Sequence, residues 1–148
     1  MKPKTTNYIV FECLSRSANE AFARGAVACF AAQLDPTLEE LGDIKTAVSE
    51  AVTNAIVHAY PDTLGRIVVR ARVLEEDILE ISVRDWGRGI PDVKQARQPL
   101  FTTGGEERSG MGFTIMESFM DSLTVRSVQG KGTRVTMSRR IKPRRTGQ

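Results

Sequence analysis

Residues 66–85 hold two alternating runs joined by a charged turn. In Arg66 to Val73, Ile67, Val69, Ala71 and Val73 fall on one side and Arg66, Arg70 and Arg72 on the other, with Val68 the exception. Glu75-Glu76-Asp77 turns the chain, and Ile78 to Asp85 repeats the pattern, Leu79, Ile81 and Val83 against Glu80, Ser82 and Arg84. A period of two over both runs predicts a β-hairpin with one apolar face. Such a face must be covered by another layer.

Two helical segments upstream supply the cover. Ser17-Ala18-Asn19-Glu20 reads as a capping box opening a helix to about Gln33, with Ala21, Phe22, Ala26, Cys29 and Phe30 near helical spacing and Asp35-Pro36 as the break. Thr37-Leu38-Glu39-Glu40 is a second capping box. It opens a longer helix to about Tyr60, stopped by Pro61, with Leu41, Ile44, Val48, Ala51, Val52 and Ala55 as its buried stripe. Tyr8 to Leu14 alternates as a strand. Asp92 to Ser109 has weak periodicity and reads as a long loop, more often a functional lid than a linker. Gly112 to Met120 reads as a short helix and Ser122 to Val128 as a strand. A Gln129-Gly130-Lys131-Gly132 turn leads into the last strand, Thr133 to Arg140. The order predicts an α+β fold, a two-layer sandwich of a mostly antiparallel sheet with helices on one face.

A chain of 148 residues, 41% hydrophobic with 6 Pro, suits one such domain. A net charge of +3 invites a nucleic-acid reading. The charge is badly placed for it. Five of the 21 bases lie in Arg139 to Gln148, so residues 1–138 hold 16 bases against 18 acids, a charge of −2. The body is mildly acidic, and the basic cluster reads as a solvated end trailing the final strand, so no direct nucleic-acid contact is expected. No apolar run approaches the ~18 residues of a membrane span, and Met1 to Asn7 is too polar for a signal peptide. Cys13 and Cys29 lack metal-ligand spacing and read as reduced structural thiols in a cytoplasmic protein. The single histidine, His58, excludes most histidine-rich metal sites and reads as a structural residue at a helix end.

Three features carry candidate chemistry. Glu50 and Asn54 lie one turn apart within an Ala/Val-rich helical run. They are either a solvated stripe or a carboxylate base beside an amide oxygen that suits Mg²⁺. Asp85-Trp86-Gly87-Arg88-Gly89 follows a strand with Asp85 in the inward register. It is either a plain turn or a buried carboxylate awaiting a donor such as an adenine amine, with glycines admitting close backbone approach. Arg108-Ser109-Gly110-Met111-Gly112 opens a helix, either as a flexible entry or as a phosphate-binding N-terminus. Thr133 starts the last strand on the face of Val135 and Met137, so it and Asp85 can meet one pocket edge. Gly130-Lys131-Gly132 fails as a Walker loop, and Gly87-Arg88-Gly89 lacks the third glycine of a dinucleotide loop. On the first helix, Glu20 and Arg24 form either an i,i+4 surface pair or part of a partner-binding face.

Glu50-xxx-Asn54, Asp85-x-Gly87-x-Gly89, the lid, Gly110-x-Gly112 and the late Gly132-Thr133 together resemble the ATP-binding (Bergerat-type) fold shared by gyrase, Hsp90, histidine kinases and MutL. Ser49 to Ile56, Pro99 to Thr103 and Glu107 to Phe113 look like the small anti-sigma factor serine kinases, the sporulation branch above all. The resemblance implies one ATP-binding kinase domain over residues 1–141 and a basic tail over 142–148. It implies a protein that sequesters a sigma factor, sigma F in the sporulation branch, and phosphorylates an anti-anti-sigma protein on serine. The alternatives are a general-stress-type kinase for another sigma factor and a non-catalytic, nucleotide-dependent sigma-binding module. By the same resemblance Glu50 is the general base, Asn54 holds Mg²⁺, and Asp85 binds the adenine amine. Gly87, Gly89 and Thr133 shape the adenine end, and Thr102, Thr103, Arg108, Ser109, Gly110, Met111 and Gly112 form the lid and phosphate cradle. Arg24 is nominated for partner binding, and a homodimer is implied.

Overall fold

The computed structural model describes residues 2–98 and 107–142, with the backbone alone for 107–110. Among them five strands form one sheet: β1 (Thr5–Leu14), β2 (Arg66–Leu74), β3 (Ile78–Asp85), β4 (Ser122–Val128) and β5 (Gly132–Arg140). The order is β1-β2-β3-β5-β4, and every pairing is antiparallel. The residues predicted to face inward do so: Ile67, Val69, Ala71, Leu79, Ile81 and Val83 are all buried. Helices α1 (Ala18–Ala31), α2 (Leu38–Asn54) and α4 (Glu107–Phe119) form the second layer, with a single turn α3 (Val93–Ala96) beside α4.

Three local expectations are corrected. The Ser17 side chain makes no cap hydrogen bond. The Glu20 carboxylate that would complete that box is held by Arg24 Nη1 at 3.0 and 3.1 Å. The buried face of α1 is Ala23, Val27, Phe30 and Ala31, which keeps only Phe30 of the expected stripe, so Cys29 is exposed and is no core thiol. Phe22 also stays outside, edge-on to Phe11 with ring centroids 5.4 Å apart. The segment 92–109 is not a continuous loop. Asp92 accepts from Gln95 N to cap α3, and α4 begins at Glu107 rather than Gly112. An acidic residue in a first turn favours that earlier start, since it complements the helix dipole.

The second capping box closes as its spacing predicts: Glu40 N donates to Thr37 Oγ1 at 3.0 Å and Thr37 N to Glu40 Oε1 at 2.9 Å. Helix α2 reaches the expected end, but its last turn, Ala55–Ala59, is a π turn. Arg139 is not part of a solvated end. It continues the inward register of Val135 and Met137, and its guanidinium bonds Asp43 of α2 and the carbonyl of Phe119. A charge at the rim of a core demands such a partner.

Candidate active site

A cavity of about 450 Å³ opens between α2 and the β3–β5 end of the sheet. Asn54, Ala55 and His58 line it from α2 and its π turn, Val83, Asp85 and Gly89 from β3 and the following loop, and Thr133 and Val135 from β5. Phe113 of α4 and Ala96 of α3 complete an apolar wall. An apolar slot with a few polar groups suits a flat heterocycle held by directed hydrogen bonds.

Asp85 is the main polar group. It ends β3 in the inward register opposite Thr133 and is 7% exposed. Its Oδ1 accepts from Gly87 N at 3.0 Å and Thr133 N at 3.2 Å. Burial pushes the carboxyl pKa up, and these two donors pull only partly against it. Both donors use Oδ1, which leaves Oδ2 for a ligand donor.

The glycines here answer to the protein's own backbone first. A Cβ on Gly87 would lie 2.3 Å from the carbonyl oxygen of Ala59, and one on Gly132 2.2 Å from that of Asp85. Gly89, at φ 76°, lies against Val128. The π turn brings Ala59 O within reach of Arg88 N, at 3.2 Å. The widened turn therefore docks α2 onto the Asp85 loop, consistent with π turns marking functional sites.

Two organising residues carry no motif. The Tyr60 hydroxyl accepts from Trp86 N at 2.7 Å and donates to Arg66 O at 2.8 Å, fixing the backbone next to Asp85. The Ser127 hydroxyl accepts from Ile90 N at 2.7 Å and lies 2.8 Å from Thr133 Oγ1, tying the glycine loop to β5. A tyrosine just after a helix is the only sequence hint of the first; nothing in a polar strand residue marks the second. His58 lines the cavity and is not merely a residue of the helix end.

Glu50 and Asn54 share the face of α2 that meets α4. A Cβ on Gly112 would lie 3.2 Å from Asn54 Oδ1, 3.3 Å from Nδ2 and 3.4 Å from Glu50 Oε2. Gly112 thus lets α4 settle onto the Glu50/Asn54 pair. Among the described residues no group of three His, Cys, Asp or Glu side chains forms a metal cage. One amide oxygen by the cavity fits Mg²⁺, which keeps phosphate and water ligands. Thr102 and Thr103 lie outside the described residues, Arg108, Ser109 and Gly110 form the first turn of α4, and Met111 is exposed. Arg24 is half-buried rather than on an open face, since its Nη1 also reaches Ser49 Oγ at 3.3 Å, next to Glu50.

The chain matches the histidine kinase-like ATPase domain family over residues 14–139. It is 59% identical over 136 residues to the anti-sigma F factor of Caldanaerobacter subterraneus subsp. tengcongensis, covering 91% of this chain and 94% of that one. It is 57% identical over 126 residues to the anti-sigma F factor of Geobacillus stearothermophilus, covering 84% and 86%. Among solved structures, the RsbU and RsbW domains of a Mycobacterium tuberculosis protein superpose with TM-score 0.68 at 22% identity, over 92% of this chain and 32% of that longer one. The histidine kinase domain of an Erythrobacter litoralis blue-light activated kinase superposes with TM-score 0.57 at 25% identity, over 82% and 60%. The structural likenesses concern the fold, and it is the relatives matched nearly end to end that place the chain: it belongs to the anti-sigma F factor family of histidine kinase-like ATPase domains.

Proposed function

We infer that this chain binds and inhibits the sporulation sigma factor F and, as an ATP-dependent serine kinase, phosphorylates that factor's anti-anti-sigma antagonist. One observation carries the catalytic part. Glu50 stands against Gly112 one turn before Asn54, which lines a cavity whose buried acceptor is Asp85. Asp85 Oδ2 takes the adenine amine, and the apolar wall takes the ring. The acceptor serine loses its proton to Glu50 as its oxygen bonds the γ-phosphorus. The bond from that phosphorus to the β-phosphate oxygen breaks, and ADP remains. Asn54 is the residue that would hold Mg²⁺, which would supply charge neutralisation at the phosphates. Positioning and electrostatics do the rest.

The phosphate cradle is assigned to Thr102, Thr103, Arg108, Ser109, Gly110, Met111 and Gly112, with neutralisation of the transferred charge assigned to Arg108. Arg24, at the seam of α1 and α2 and one residue from Glu50 through Ser49, is assigned to the protein partner. A homodimer is supported by edge strand β1, whose outer face exposes Tyr8 (62%), Val10 (52%) and Leu14 (50%). No helix among the described residues is long and apolar enough to cross a membrane, which agrees with a cytoplasmic site of action.

The test is phosphoserine formation from labelled ATP, with the anti-anti-sigma protein as acceptor. Glu50→Ala is expected to slow transfer by about 10²–10⁴-fold while ATP affinity is kept. Equal loss of transfer and of ATP binding would remove Glu50 from the base role, and unimpaired transfer would refute it outright.

A further inference from the structure

The sheet face opposite the helices is strongly polarised. Seven arginines (Arg66, Arg70, Arg72, Arg84, Arg126, Arg134 and Arg140) share it with two acids, Glu12 and Glu80, in a body whose remaining charge is acidic. The two acids are spent: Glu12 pairs with Arg66 and Glu80 with Arg72. Arg84, Arg134 and Arg126 lie side by side in one row across β3, β5 and β4, directly opposite one another in register, and all three are exposed. None of them pairs with an acid among the described residues. Like charges directly opposite across strands destabilise a sheet. The row also borders an open depression of about 680 Å³ whose rim adds Lys131 and which reaches Asp85 and Thr133 at the end of the sheet. Arg84 is braced from behind by the Trp86 ring, 4.6 Å away, which is stacked against Arg66 on its other contact at 4.4 Å.

We propose that the Arg84–Arg134–Arg126 row, on the sheet face opposite the nucleotide cavity, is a docking surface for an acidic helix of a protein partner. Arginine forks match carboxylates bidentately. Strands are spaced ~4.8 Å apart, so three adjacent strands set the guanidinium row about 10 Å long. Seven residues of α-helix rise about 10.5 Å, so carboxylates at i, i+3 or i+4, and i+7 lie on one helical face at the spacing of the row. A nucleic acid fits less well: three charges in a short row neutralise too few phosphates to hold it at physiological salt.

The experiment uses the full chain and two fluorescent helical peptides of equal length and net charge. One carries Glu at i, i+4 and i+7, and the other has the same glutamates spread around the helix. Anisotropy at ~150 mM salt, near the physiological value, is expected to show saturable binding of the first peptide, about tenfold tighter than the second. Arg126→Gln/Arg134→Gln should weaken it about tenfold, the sum of two exposed ion pairs, while ATP affinity stays unchanged and the variant melts no lower than the parent. Equal binding of both peptides, no saturable binding, or indifference to the double substitution overturns the proposal. So does a single-stranded DNA 20-mer that displaces the peptide and binds more tightly.

Discussion

At Asp85, what serves the ligand works against the empty protein. The side chain is 7% exposed, and both of its backbone donors bond one oxygen. Burial raises its pKa, so the folded state holds the proton more tightly than the unfolded chain does. Its contribution to stability is therefore complete below the unfolded value of about 3.9 and is lost as pH rises through the raised folded value. An asparagine in its place would keep an oxygen for Gly87 N and Thr133 N but has no charge to bury. Asp85→Asn should leave the ligand-free protein at least as stable at pH 7, with the advantage fading towards pH 4 in thermal melts. Its ATP affinity should fall by about 10–10²-fold, the worth of a hydrogen bond to a charged group, as read by calorimetric titration. A variant that melts well below the parent at pH 7 would contradict the burial argument. Strand alternation places Asp85 inward from sequence alone, because period two is indifferent to what the last residue is. Tyr60 and Ser127 are illegible for the opposite reason: each acts by bonding backbone distant in the chain, and no spacing records that.

Among the elements, α2 does most to join site and scaffold, and its two ends are unequally readable. The capping box at its start is a local device, complete within four residues, and so it is visible in Thr37 to Glu40. The π turn at its end exists because Ala59 must meet Gly87 and Arg88, a contact between segments 28 and 29 residues apart. The start also has a long-range role. Glu40 is 6% exposed and its second oxygen accepts from Lys142 N at 3.1 Å, so one carboxylate caps α2 and fastens the end of the last strand. Burial alone would raise its pKa. The bonds from Thr37 and Lys142, with Arg139 nearby, outweigh this and hold it below the usual range. The stabilisation is thus present above the unfolded value of about 4.3 and lost as pH falls through the folded one. Thr37→Ala should cost about 1 kcal/mol, and Glu40→Ala about 2 kcal/mol because both fastenings go. Urea denaturation at pH 7 and again below pH 4 checks this: the Glu40→Ala difference should shrink in acid, and a constant difference would rule out the ionised cap.

For the molecule as a whole, the question is where the folded unit ends and what its charge does. The basic cluster reads as one solvated tail in the sequence because composition cannot separate inward from outward arginines. Arg139 faces in and pairs with Asp43, Ile141 is 1% exposed with its N–H on Asp77 O at 2.9 Å, and Lys142 N reaches Glu40. The chain is therefore fastened to α2 and to the β2–β3 turn up to residue 142. Residues 143–148 supply only two of the chain's 21 bases, Arg144 and Arg145. The net positive charge then reflects an arginine-rich sheet face as much as a terminus. Two truncations separate these roles. Ending the chain after Lys142 should leave melting temperature and ATP affinity unchanged. Ending it after Arg140 removes a buried isoleucine, worth about 1.5–3 kcal/mol, and two backbone hydrogen bonds of about 1 kcal/mol each. The shorter chain should lose about 3.5–5 kcal/mol in urea denaturation, with weaker ATP binding following only from the fraction unfolded. Equal stability of the two truncations would show that the fastening beyond β5 contributes nothing, and loss of ATP affinity in the longer one would give residues 143–148 a role at the site.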